Sequence, residues 1–187
     1  AQEWSLGDVK SGRIGLPTAL DVAEGPFLRD VDGNVFLDFT VGIGVHNCGH
    51  RPAAMVKACQ DQLDKFIHIC VMVSPYEAYL KLAEEMSKIC PGKLTKSIFL
   101  NSGSEAIENS LKIARAYTKK KWIVSYKTSF HGRTFMDITL TGKEKPYREG
   151  FGPLVEYVRH VEYAYCYRCP LKLEYPSCSL ACADTIR

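Results

Sequence analysis

Residues Asn101-Ser102-Gly103-Ser104-Glu105-Ala106 carry the sharpest chemical signal in the chain. Ser102 and Glu105 have the spacing at which a serine hydroxyl and a downstream glutamate organise the free amides of a helix's first turn. Gly103 lets a ligand approach the backbone closely. Those amides, the positive end of the helix dipole and the Ser104 hydroxyl together make an anion site suited to one phosphate. The same spacing also serves as an ordinary helix cap with no ligand. The pattern is neither the P-loop, which needs a lysine after its second glycine, nor the three-glycine dinucleotide fingerprint, so ATP and NAD are disfavoured.

A second cluster, Ser129-Phe130-His131-Gly132-Arg133-Thr134, follows an expected strand at 122–126. The C-terminal end of a strand is where open α/β sheets bind ligands. An aromatic there can stack on a flat ring, and a guanidinium can hold a carboxylate with two hydrogen bonds. Singly, Phe130 also fits core packing, His131 a satisfied loop histidine and Arg133 a surface charge. Lys127 reads as a solvated surface lysine.

The elements that must position these residues follow from periodicity. Ala19 to Phe39 alternates apolar and polar residues around Asp32-Gly33-Asn34, a hairpin pattern. The stretch from Gly42 to Pro52 is too glycine-rich for a regular element and reads as a functional loop. Val56, Cys59, Leu63 and Phe66 mark one face of a helix beginning at Pro52. Ser74-Pro75-Tyr76-Glu77 opens a second helix, striped by Tyr79, Leu82, Ala83, Met86 and Ile89 and stopped at Cys90-Pro91-Gly92. A strand at Ser97 to Leu100, a helix from Ser104 to about Tyr117 and the 122–126 strand then predict a parallel α/β sheet. Along that helix Ile107, Leu111 and Ala114 share a face, and Glu108 is placed to pair with Lys112. After Cys182 the last residues read like the opening of another helix.

The 187 residues are 46% apolar and 24% charged, an ordinary globular composition. The net charge of +3 is scattered, so neither nucleic acid nor a polybasic membrane surface is expected as a partner. The longest apolar run, Phe66 to Val73, is far below the roughly 20 residues that span a bilayer. Ala1-Gln2-Glu3-Trp4 shows no secretory signal. Of eight cysteines, Cys48, Cys59, Cys70 and Cys90 sit singly among apolar neighbours, as reduced, buried thiols would. A reducing cytoplasm is expected. Cys166, Cys169, Cys178 and Cys182 form a C-x2-C-x8-C-x3-C cluster. Its four thiolates suit tetrahedral zinc, although the gap between pairs is shorter than the roughly 15–20 residues of a zinc ribbon. Disulfides or simple buried thiols are the other readings, and no metal ligand is assigned.

Taken in order, Leu37-Asp38-Phe39, Gly42-Ile43-Gly44-Val45, Asn47-x-Gly49-His50, the 101–106 segment and Phe130-His131-Gly132-Arg133-Thr134 resemble the class III pyridoxal-phosphate aminotransferases. That group contains the 4-aminobutyrate, ornithine and acetylornithine enzymes, and the resemblance covers most of the chain. It implies an α/β fold, the pyridoxal-phosphate-dependent transferase fold type I. Here that means an N-terminal β-hairpin segment plus the first part of a mostly parallel sheet with helices on both faces. It divides the chain into residues 1–65, part of a small domain, and 66–187, the first part of a large domain with a Cys-rich loop at 166–182. It implies pyridoxal 5'-phosphate as cofactor, with Gly103 and Ser104 on the phosphate and Phe130 against the ring. Ile43 and Arg133 are implied as substrate-binding residues.

The implied reaction moves an amino group from an amino acid or omega-amino acid to a 2-oxo acid, in a homodimer. Relatives on this scaffold racemise amino acids instead, and a non-catalytic phosphate- or metal-binding module is a further alternative. The resemblance places both the Schiff-base lysine and the carboxylate facing the pyridinium nitrogen beyond Arg187. No catalytic residue is therefore assigned within the chain, which is expected to be the N-terminal portion of a larger enzyme, inactive alone and rich in exposed apolar surface.

Overall fold

Alternation between apolar and polar residues produces the first sheet. The computed structural model describes residues 19–186; Ala1 to Trp4 and Arg187 lie outside them. Strands β1 (Leu20–Glu24), β2 (Phe27–Asp30) and β3 (Val35–Leu37) form an antiparallel meander in the order β1-β2-β3. Ala23 faces Leu28 and Leu28 faces Phe36 across its ladders. The expected hairpin is therefore β2–β3, and a further turn at Gly25-Pro26 adds β1. The buried Asp30 carboxylate holds the β2–β3 turn, accepting from the backbone N–H groups of Asp32 (3.0 Å) and Asn34 (2.8 Å) and from the Asn34 side chain (2.9 Å).

The glycine-rich stretch is irregular, as expected. Gly42 and Ile43 both adopt positive φ within a short turn at Val41–Gly44. Asp38 ties this stretch down. One of its carboxylate oxygens accepts from the Thr40 and Val41 N–H groups and the Thr40 hydroxyl, at 2.7–2.9 Å. The other lies 2.7 Å from His50 Nε2. Backbone hydrogen bonds between Gly25 and His50 fasten the same loop to the β1–β2 turn.

Helix α1 (Ala53–Leu63) starts directly after Pro52, as predicted, but ends before Phe66. Helix α2 spans Glu77–Ile89, beginning two residues later than the Pro75 start expected from the sequence. Helix α3 spans Gly103–Thr118 and leads to β4 (Ile123–Tyr126). Two elements not anticipated from the sequence follow, α4 (Phe135–Leu140) and β5 (Val158–Val161). Strands β4 and β5 pair in parallel, Ser125 opposite His160, which supplies the expected parallel sheet. Residues 97–100, expected as a strand, belong to neither of the sheets formed by the described residues, which run β1-β2-β3 and β4-β5. The chain closes with a 3₁₀ turn at Cys166–Arg168 and a single helical turn, α5 (Ala181–Asp184), which begins before Cys182 rather than after it.

The described residues fall into two compact units, divided between Leu82 and Ala83. Among the described residues the buried apolar core is confined to the second: Met136, Ile138 and Leu140 of α4 and Val161 of β5. Exposed apolar surface is extensive, as expected; in the first unit Ile43 is 96% and Met72 93% exposed. Three of the four single cysteines depart from expectation: Cys48, Cys59 and Cys70 are exposed, because the helix and loop faces that carry them are not packed against. None of the helices described is long and apolar enough to cross a membrane.

The hydrogen bond from His50, then those from the Thr40 hydroxyl and Val41 N–H, hold the Asp38 carboxyl well below the usual carboxylate range. A depressed value adds stability above the unfolded-state value of about 3.9, and that stability drains away as pH falls below it. Asp38→Asn is expected to lower the thermal midpoint at neutral pH and to flatten its fall in acid. Scanning calorimetry from pH 7 to pH 3 checks this; equal acid sensitivity in both proteins would count against the Asp38 anchor.

Candidate functional site

Local sequence builds the start of α3. Ser102 is its N-cap, in extended conformation, and its hydroxyl accepts from the Glu105 N–H at 3.2 Å. Glu105 reaches back to the Asn101 N–H at 2.6 Å, one residue earlier than the reciprocal bond of a capping box. Helix geometry leaves the N–H groups of Gly103 and Ser104 without intrahelical acceptors. A Cβ on Gly103 would meet nothing within 4 Å, so the backbone there is open to a ligand.

The loop after β4 descends onto this turn. Thr134 N-caps α4, its hydroxyl accepting from the Asp137 N–H at 3.4 Å. The same hydroxyl donates to Glu108 of α3 at 2.7 Å. Glu108 thus bridges to this loop rather than to Lys112, the i,i+4 partner expected from the sequence. His131 is fixed by its N–H, which donates to the Thr141 hydroxyl at 3.2 Å. Its ring lies 3.4 Å from the buried Ser125 hydroxyl, which itself donates to the Leu140 carbonyl at 2.6 Å.

The same carbonyl also accepts from His160 Nε2 at 3.2 Å. Burial, together with the nearby charges of Arg148, His131 and Lys127, holds this imidazole below its usual range, against the opposing effect of the Leu140 bond.

Gly132 has φ +133°, a conformation L side chains rarely adopt, and a Cβ there would overlap both the Ser104 hydroxyl and the Asp137 carboxylate. Only a residue without a side chain allows this approach. The outcome is an open cleft of about 710 Å³ lined by Gly103, Ser104, Phe130 and Arg133, with His131 and Gly132 between them. Four of the five residues singled out in the sequence thus line one cleft. Phe130 is half exposed, its ring 4.9 Å from that of Tyr147. Arg133 is exposed. Ile43 lies in the other compact unit. Lys127, read as a solvated lysine, is half exposed and pairs with Glu162.

Asp137 was not singled out from the sequence. Its side chain is fully buried and neither oxygen has a hydrogen-bond partner among the described residues. Thr134-Phe135-Met136-Asp137 repeats the cap-and-acid spacing of Ser102–Glu105, the one signal by which α4 and its acid are recognisable.

A helix N-terminus and a glycine-bearing loop thus meet beyond the C-terminal end of a parallel strand, an α/β arrangement. Residues 10–186 match the family described as aminotransferase class-III, and the chain belongs to that family. It is 45% identical over 148 residues to a probable 4-aminobutyrate aminotransferase of Bacillus subtilis, covering 79% of this chain and 34% of that protein. It is 41% identical over 156 residues to 4-aminobutyrate aminotransferase of Mycobacterium bovis, covering 83% and 35%. Among solved structures, a thermostable (S)-enantioselective omega-transaminase from Thermomicrobium roseum superposes with a TM-score of 0.83 at 25% identity, covering 100% of this chain and 45% of that one. The fold is therefore that of the transaminases, as the motifs implied. The chain spans about a third of the length of the curated relatives it matches.

Losing the Thr134 hydroxyl removes both an N-cap and the bridge to Glu108. Thr134→Val is expected to destabilise the protein by about 1–2 kcal/mol in urea unfolding, with Thr134→Ser near the parent. Equal stability of all three proteins would show that the bridge contributes nothing.

Proposed function

We propose that the full-length protein is a pyridoxal-phosphate-dependent aminotransferase that moves an amino group from an amino acid or omega-amino acid to a 2-oxo acid. The observation that carries this reading is the cradle: the open first turn of α3, brought against Gly132, with Phe130 on the same cleft. It fits a phosphate monoester, since Gly103 and Ser104, at the positive end of a 16-residue helix, bring free amides and a hydroxyl to one cleft. When bound, the cofactor supplies an electron sink for the substrate's Cα.

This chain's own residues bind and orient. Gly103 and Ser104 hold the phosphate, Phe130 covers one face of the ring, and Arg133 and Ile43 contact the substrate. The names of the relatives make 4-aminobutyrate the first donor to test. The same reading assigns residues 1–65 to a small domain and 66–187 to the first part of a large one. A second copy of the chain completes a homodimer, and the eight free thiols suit a reducing cytoplasm.

Titration of the full-length protein with pyridoxal phosphate tests the cradle directly. Ser104→Ala is expected to weaken binding by roughly tenfold, the loss of one hydrogen bond to a charged group, and Gly132→Ala by more. Affinity unchanged in both variants would remove the phosphate assignment. Transfer to a 2-oxo acid is followed in the same preparation, and absence of transfer from any omega-amino or amino acid donor would remove the activity.

Asp137→Asn replaces the unpartnered carboxyl beside Ser104 by an amide of almost the same shape. It is expected to tighten cofactor binding several-fold, because the amide adds N–H donors beside the phosphate. Weaker binding would show instead that the carboxylate orients the Ser104 hydroxyl.

A further inference from the structure

The Cys-rich loop has no part in the cleft, yet its four cysteines share one cavity. Cys166, Cys169, Cys178 and Cys182, spread over 17 residues of sequence, all line one small cavity of about 60 Å³. Its remaining walls are apolar or aromatic, Leu171, Leu173, Tyr165 and Tyr175 among them. Local structure produces the convergence. The 3₁₀ turn at Cys166–Arg168 sets the first pair at its two ends, closed by the Arg168 N–H on the Tyr165 carbonyl at 3.1 Å. Between the second pair, Ser179 and Leu180 both take positive φ, 48° and 57°, and the chain doubles back into α5 before Cys182. Two consecutive left-handed residues with side chains are unfavourable and persist only where the surroundings fix them.

From this we propose that Cys166, Cys169, Cys178 and Cys182 form a structural site for one divalent d¹⁰ cation of the zinc type, bound as a tetrathiolate. All eight cysteines are free thiols, so none of the four is committed to a disulfide. Among the described residues no three His, Cys, Asp or Glu side chains are already arrayed as a ligand set. Closure therefore needs rotation about χ1, a staggered-to-staggered hop that carries a thiol sulfur about 3 Å. The cavity suits a single ion rather than a larger ligand. Binding forms four metal–sulfur bonds and breaks four S–H bonds, releasing four protons to solvent, with no change of oxidation state. The ion is structural, since four protein ligands leave no open position.

Metal content of the full-length protein, purified without chelators and freed of excess zinc, tests this independently of any aminotransfer. The expected result is about one zinc per chain, as a closed tetrathiolate site requires. Protein produced with cobalt should show the intense visible bands of tetrahedral cobalt thiolate. The double variants Cys166→Ser/Cys169→Ser and Cys178→Ser/Cys182→Ser should each lose the metal, while Cys48→Ser keeps it. Less than about half an equivalent in the parent, or disulfides among the four, would overturn the site; so would zinc retained by both double variants. Should those variants fail to fold, the parent's zinc stoichiometry and cobalt spectrum decide.

Discussion

The second unit depends on a single close approach: the loop after β4 comes down on the first turn of α3 at Gly132. A side chain there would occupy the space of the Ser104 hydroxyl and the Asp137 carboxylate. Because residue 132 has none, Thr134 reaches Glu108, α4 starts where it does, and Phe130 and Arg133 open onto the same cleft as Gly103 and Ser104. Loop, helix cap and cleft are thus consequences of one steric allowance.

That approach also explains why a six-residue helix is the best-buried element. Residues Met136 to Leu140 of α4 are all buried. Its polar members are accommodated by hydrogen bonds: the Thr139 hydroxyl donates to the Phe135 carbonyl and accepts from Val155 N–H, and the Thr141 hydroxyl donates to the Asp137 carbonyl and accepts from His131 N–H. Asp137 is the exception, with its backbone satisfied and its carboxyl group unpartnered beside Gly132 and Ser104.

The first unit solves a different problem, holding a glycine-rich loop in one conformation with little apolar burial. Asp38 does so through four hydrogen-bonded groups, and the Gly25–His50 bridge fixes the same loop to the sheet. Large apolar side chains remain exposed in both units, including Phe39, Ile43 and Met72 in the first and Trp122 and Tyr167 in the second. The chain also spans only about a third of its curated relatives.

Features encoded within one turn or one hairpin were readable from the residues themselves. The Ser102–Glu105 spacing located the start of α3, and Asp32-Gly33-Asn34 located the β2–β3 turn, because their hydrogen bonds join residues two to four apart. What depends on distant partners was not readable. The short α4 has no apolar stripe long enough to register, and β5 is defined by its pairing with β4 some 35 residues earlier. Residues 97–100 have a strand's composition but no partner strand among the described residues. Glu108 has a lysine at helical spacing, yet bonds to a hydroxyl 26 residues away. The sequence alone determined the capped first turn of α3, the order of the motifs and the family to which they point. Only the tertiary structure decided that Ser104, Gly132 and Asp137 meet and that four dispersed cysteines face one cavity, because long-range packing sets which side chains share a space.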